Sequence, residues 1–262
     1  MKRSLKKLAV CMLVGLASPA LADAPVPTLL NPFEVVDVAH RPLERGQGLR
    51  LVLRFKPEKA GKDNELSGRV GRPVGKDGQL VLEDVGYPVS KDKVVEKYRQ
   101  ASFVIDHDQP DFAPVRTELE AQAGTSPDMA ALVRFVGAFI QKKNLSRPFD
   151  VASQVAKRRE GDCTEHAVLL TALARSRGIP ARVVMGVVVL SGEGGPNAFG
   201  HAWVEYANKG RWERADAALP ESLKAVYLPL ALLEDEGPGY AFDPGKRSLF
   251  SALQGIRIEA AR

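Results

Sequence analysis

Both ends of one helix are written into the segment from Gly161 to Pro180, and no other stretch constrains this chain as tightly. Asp162 is a good N-cap, and Glu165 stands three residues later, the spacing of a capping box. Val168, Leu169, Ala172 and Leu173 carry an apolar face onward at helical spacing. Gly178 suits the left-handed residue just past a helix end, and Pro180 cannot continue the helix. The β-branched run Ala181 to Leu190 then predicts a buried strand. Cys163 takes the first helical position, where unpaired N–H groups and the positive end of the dipole favour its thiolate. The same N–H groups are placed to stabilise an oxyanion. The plainer alternative is a small buried cysteine packed at a helix start.

The compartment makes that cysteine conspicuous. Residues 1–22 read as a signal peptide: Lys2, Arg3, Lys6 and Lys7 precede the apolar run Leu8 to Leu16, and Ala20-Leu21-Ala22 is a small-x-small cleavage site. Such a leader would direct export to the periplasm, and its cleavage would remove Cys11, leaving Cys163 alone in an oxidising compartment. Exported proteins usually pair their thiols or lack them, so an unpaired one is expected to do chemistry. The leader also accounts for most of the charge. The full chain carries +5, four of those charges lie in the leader without acids beside them, and +1 remains. No clustered basic face marks a nucleic-acid partner, and no later run approaches the roughly 18 apolar residues of a membrane span, so no stable membrane insertion is expected after leader removal.

Three segments are expected: the signal peptide at 1–22, a β-rich extension at 23–90, and a core domain at 91–262. Asp23 to Pro32 is a proline-rich lead-in. Leu49 to Lys56 alternates apolar and basic residues, the pattern of a half-buried strand. Lys59 to Asp77 reads as an exposed loop. Gln79 to Val85 is a second strand candidate and Ala101 to Ile105 a third. His40 and His107 lie in polar surroundings and read as solvated loop residues. Beyond Asp111 the period changes, and Pro114 to Ala123, Asp128 to Lys143 and Phe149 to Lys157 predict helices.

Downstream of the long strand, Ser191 to Gly200 is Gly-rich and reads as a flexible loop. His201 to Tyr206 predicts a strand, Asn208-Lys209-Gly210 a turn, and Arg211 to Asp216 the return strand. An even hairpin loop puts His201 and Asp216 on one face, and an odd one separates them unless a bulge intervenes. With a four-residue loop they would stand directly opposite. Given the shared face, Cys163 attacks a carbonyl, His201 holds and returns the proton, and Asp216 fixes the imidazole tautomer. Glu165 reads as the capping-box partner or as a contact to substrate. His166, one helix turn from Cys163, reads as packing or as support for the site. Trp203 is a core residue or a shield, and Arg182 with Glu205 an ion pair beneath the site. Cys163, His166, His201 and Asp216 can also be read as metal ligands, but structural zinc usually shows tighter paired spacings. No metal or cofactor is expected.

The segments Gly161 to Ala167, Arg177 to Gly186, His201-Ala202-Trp203-Val204-Glu205 and Trp212 to Asp216 together resemble the bacterial pattern of the transglutaminase-like superfamily, in order and approximate spacing. The resemblance implies an α+β, papain-like core in which the thiol-bearing helix packs on an antiparallel sheet. It also implies a Cys163–His201–Asp216 catalytic triad. The family often has Pro-Thr after the aspartate, whereas Ala217-Ala218 follow here, removing a rigid neighbour. Family members include transglutaminases, peptidases, amidases and members that have lost catalysis. The expected function is periplasmic, cysteine-dependent acyl transfer on a peptide or protein amide through a thioester, with water as the default acceptor. Transfer to an amine and a catalytically silent binding module are the alternatives.

Overall fold

Alternation of Leu51 and Leu53 with Arg50 and Arg54 gives β1 (Leu49–Phe55) in this computed structural model. The structure describes residues 49–55, 79–83, 90, 92–143, 150–192, 195–219, 225–233 and 253–260. The leader, the lead-in, His40 and the loop expected at 59–77 lie outside these residues. Leu51, Val52 and Leu53 are all buried, so β1 is covered on both faces rather than half-buried. It pairs antiparallel with β2 (Gln79–Glu83) on one side. On the other it pairs with the last described strand, β9 (Leu253–Ala260), so the front of the chain and its end share one sheet.

The third strand expected at Ala101 to Ile105 does not form. Ser102 N–H donates to the Ile105 carbonyl at 3.2 Å, and Ile105 N–H donates to Ser102 Oγ at 3.2 Å, which closes a local turn. A serine that bonds nearby backbone offers the chain this alternative to a ladder. His107, in the same turn region, is half-buried rather than solvated, and burial lowers its pKa.

The helical layer follows its apolar period. Helix α1 (Ala113–Ala123) has Pro114 in its first turn and stops at Gly124, where φ is 79°. Helix α2 (Met129–Phe139) is capped by Asp128, whose carboxylate accepts from Ala131 N–H at 2.7 Å. It ends four residues before the Lys143 boundary expected for it. The N–H groups of Gln141 and Lys142 both donate to the Arg159 carbonyl, drawing β3 (Lys142–Lys143) into a short parallel pair with β4 (Glu160–Gly161). Helix α3 (Ala152–Arg158) lies between them, and helix α4 (Cys163–Ser176) follows β4. At the end of α4, Gly178 N–H donates to the Arg175 carbonyl and Ile179 N–H to that of Ala174, the paired bonds of a Schellman cap. No helix among the described residues is long and apolar enough to cross a membrane.

Helix α4 packs on a four-stranded antiparallel sheet of order β7-β6-β5-β8, which makes the described fold α+β. Its strands are β5 (Ala181–Gly192), β6 (Gly195–Asn208), β7 (Arg211–Ala215) and β8 (Ala225–Leu232). The loop expected at Ser191 to Gly200 is instead largely strand, since β5 and β6 pair as far as Gly192↔Gly195. The β-branched partner Val187-Val188-Val189 draws a segment of weak local preference into the ladder. Ala181, Val183, Ala202 and Val204 join the core built on the helices. Val184, Val188, Trp203, Leu219 and Tyr227 form a second core on the other face of the sheet.

Gly186 shapes this second face. It pairs with His201 on β6, and the β8 register shifts between Met185 and Gly186. A Cβ there would lie 2.1 Å from the Leu228 carbonyl oxygen and 2.5 Å from the Trp203 ring. Gly186→Ala is therefore expected to lower stability by about 1–3 kcal/mol through overpacking, read as a reduced urea midpoint. An unchanged midpoint would mean that the bulge absorbs the methyl group.

Candidate active site

The first turn of α4 is built as its residue types require. Asp162 accepts from Thr164 N–H at 2.8 Å, and Glu165 Oε2 accepts from Asp162 N–H at 2.9 Å, completing the capping box. Gly161 makes room for it: φ is 151°, and a Cβ would fall 2.3 Å from Glu165 Cβ. Burial, followed by the nearby Asp162 carboxylate, raises the Glu165 pKa to about 8. His166 is wholly buried, and its Nδ1–H donates to the Asp162 carbonyl at 2.6 Å. Burial lowers its pKa to about 4, so it is a neutral ring tied to its own helix. Cys163 sits at the head of this turn, free of any disulfide and 6% exposed.

The hairpin between β6 and β7 supplies the other two groups. Asn208 pairs with Arg211, so the loop is the two-residue Lys209-Gly210, with both residues at positive φ as a tight hairpin turn requires. An even loop places His201 and Asp216 on one face, but offset diagonally rather than directly opposite as the four-residue loop would have them. The offset is closed by the chain leaving β7 at Ala215. His201 Nε2 then lies 2.7 Å from Asp216 Oδ2, with both side chains buried.

The partners of Asp216 explain why a carboxylate survives there. Oδ1 accepts from the N–H groups of Ala218 at 2.9 Å and Leu219 at 3.2 Å. Oδ2 accepts from His201 and from the Tyr227 hydroxyl, the latter at 2.7 Å. Burial pushes the Asp216 pKa up, but the His201 charge and these hydrogen bonds outweigh it, and the net shift is downward. The turn through Ala217-Ala218 thus fixes the aspartate with backbone donors and needs no proline.

His201 responds in the opposite sense. Burial would lower its pKa, but the Asp216 carboxylate, together with hydrogen bonding and charge from Cys163, raises it to about 10. Since an ionised carboxylate only accepts, Nε2 carries the proton shared with Asp216. Among the described residues, Nδ1 has no hydrogen-bond partner apart from its interaction with Cys163. In the neutral ring it is therefore the lone pair left for a proton from the thiol. The structure thus brings Cys163, His201 and Asp216 together and holds His166 apart in the helix. Among the described residues, no group of three or more His, Cys, Asp or Glu side chains is arranged to hold a metal ion.

The flanking residues fall into place around these three. Trp203 is buried with its ring 6.0 Å from that of His201, so it is both core and cover. Arg182 and Glu205 do pair, Nε to Oε2 at 2.8 Å, and the guanidinium also reaches Asp92 at 2.9 Å and lies 4.0 Å over the Trp212 ring. Tyr227 is the contact that sequence reasoning misses. The available signal is a tyrosine within the apolar run Ala225 to Leu232, whose hydroxyl must find a partner if it is buried.

Residues 119–217 match the family model of the transglutaminase-like superfamily. Among solved structures, the chain is similar to a candidate cysteine protease from Cytophaga hutchinsonii, at 18% identity and a TM-score of 0.43, covering 65% of this chain and 52% of that one. It is also similar to the periplasmic domain of TgpA from Pseudomonas aeruginosa, at 19% identity and a TM-score of 0.40, covering 80% and 77%. The chain thus spans about half the length of the first of these. No curated protein matches it.

Because the His201 pKa is raised from 6.5, the stability carried by its protonated ring is complete below about pH 6.5 and is lost as pH rises through about 10. Asp216→Asn removes the main source of that rise and is expected to lower the His201 pKa by about 1–3 units. Imidazole nitrogen NMR across a pH series reads this directly. An unmoved titration would remove Asp216 as its cause.

Proposed function

From the premise that this chain carries a transglutaminase-like domain over residues 119–217, we propose that it is an exported cysteine enzyme that cleaves amides of peptides or proteins through a thioester. The observation that carries this reading is the buried His201–Asp216 bond at 2.7 Å, with Cys163 acting on the same imidazole. The leader at 1–22 supports a periplasmic location.

In this mechanism the Cys163 sulfur donates an electron pair to the amide carbonyl carbon, and the carbonyl oxygen takes up negative charge. The positive end of the α4 dipole, where Cys163 sits, favours that charge. Collapse of the adduct breaks the C–N bond, and His201 gives its proton to the departing nitrogen. A water molecule then adds to the thioester while His201 accepts its proton. Loss of the thiolate releases a carboxylic acid and restores the site. Asp216 keeps Nε2 protonated throughout, so Nδ1 performs both transfers.

Cys163→Ala is expected to reduce hydrolysis of a glutamine-containing peptide at least about a thousandfold, measured as release of ammonia. Wild-type Cys163 should also react with iodoacetamide faster than a free thiol at neutral pH. A rate no faster would favour a silent binding module. If added methylamine is captured as a stable amide in preference to water, the hydrolytic assignment falls and transamidation replaces it.

A further inference from the structure

Asp216 Oδ2 has two donors at the same distance, His201 Nε2 and the Tyr227 hydroxyl, each at 2.7 Å. Tyr227 reaches it from β8, the sheet edge opposite β7. Contact between groups from the two edges requires the sheet to curl, so this bond is not a by-product of neighbouring strands. The tyrosine ring is firmly seated. It is 6% exposed and meets Trp203 edge-on at 5.2 Å, and the Arg214 guanidinium lies 3.8 Å over it. Burial and the Asp216 charge push the phenol pKa upward, so the hydroxyl keeps its proton and always donates.

We propose that Tyr227 is a positioning residue for the triad: by sharing Oδ2 with His201, it fixes the plane of the Asp216 carboxylate and limits how tightly that carboxylate holds the imidazole proton. This rests on the reading of Cys163, His201 and Asp216 as acyl-transfer machinery. A buried carboxylate oxygen with an imidazolium as its only partner binds it strongly. His201 must nevertheless release a proton to the leaving nitrogen, and an imidazolium held too firmly is a poor acid. A second donor on the same oxygen draws off part of its charge. The groups around His201 come from several elements. Asp216 follows β7, Tyr227 lies on β8 and Cys163 heads α4. Behind them, Arg214 of β7 stacks on Tyr227, and neutral His166 of α4 acts on Asp216 only weakly. Of these, Tyr227 can lose its hydroxyl with no change of charge and little change of shape.

The test compares Tyr227→Phe with wild type in the full chain. It follows the His201 imidazole by nitrogen NMR, and kcat and KM for the peptide substrate. The His201 pKa is expected to rise by about 0.5–1 unit, the worth of one lost hydrogen bond. At the same time kcat should fall about tenfold with KM nearly unchanged. If stability drops while the His201 titration stays put, Tyr227 is a structural residue and the proposal is overturned. Should the Phe variant not fold, 3-fluorotyrosine at position 227, a stronger donor of the same shape, is expected to lower the His201 pKa, and no shift would again overturn the proposal. The NMR titration does not depend on turnover. An inactive wild type would refute the enzymatic reading, while the titration would still decide what Tyr227 does to His201.

Discussion

A charged pair in a dry interior survives only if every lone pair and proton finds a partner, and the Asp216–His201 bond sets that demand on the structure around it. Asp216 meets it with four donors, two from the backbone of the following turn and two from side chains on β6 and β8. Each donor fixes something larger. The backbone pair requires the chain to turn immediately after β7, and the tyrosine requires the sheet to bring its two edges together. His201 requires an even hairpin loop, and Lys209-Gly210 provides it.

The first turn of α4 solves a complementary problem, that of burying polar groups beside a thiol without adding stray charge. Glu165 is shifted upward to about 8 and His166 downward to about 4, so both are mostly neutral near pH 7. The two shifts act on stability in opposite directions. A buried glutamic acid that prefers its proton costs stability as pH climbs from 4.5 toward 8, whereas a histidine that resists protonation costs stability as pH falls from 6.5 toward 4. The local optimum therefore lies between them. The charges left nearest Cys163 are Asp162, which caps the helix, and the buried His201–Asp216 pair.

Packing enforces this geometry from further away. Trp203 lies against Gly186, where a Cβ would fall 2.5 Å from its ring, and the β5–β8 register shifts at the same point, on the strand that carries Tyr227. Beneath the same face, Arg182 binds Glu205 and Asp92 and stacks on Trp212, tying β5, β6 and β7 to the segment that precedes the helices. The bond between Trp212 Nε1 and the Asp92 carbonyl, at 2.9 Å, adds a second tie to that segment.

Features governed by neighbours in the chain were legible in the sequence. Asp162 and Glu165 announce the start of α4, Gly178 its end, and Ala181 to Leu190 a strand, because caps, turns and side-chain period act over a few residues. The types and order of Cys163, His201 and Asp216 were legible for the same reason. The sequence left the hairpin loop open, even or odd and of two or four residues, because the competing registers differ in pairings rather than in local chemistry. It misread Ala101 to Ile105 as a strand, since Ser102 bonds within its own turn, and Ser191 to Gly200 as a loop, since β5 recruits it. The union of β9 with β1 and the reach of Tyr227 across the sheet were decided only by tertiary structure. The first pairs strands from far apart in sequence, and the second joins residues only 11 apart but from opposite edges of the sheet, so neither follows from local preference.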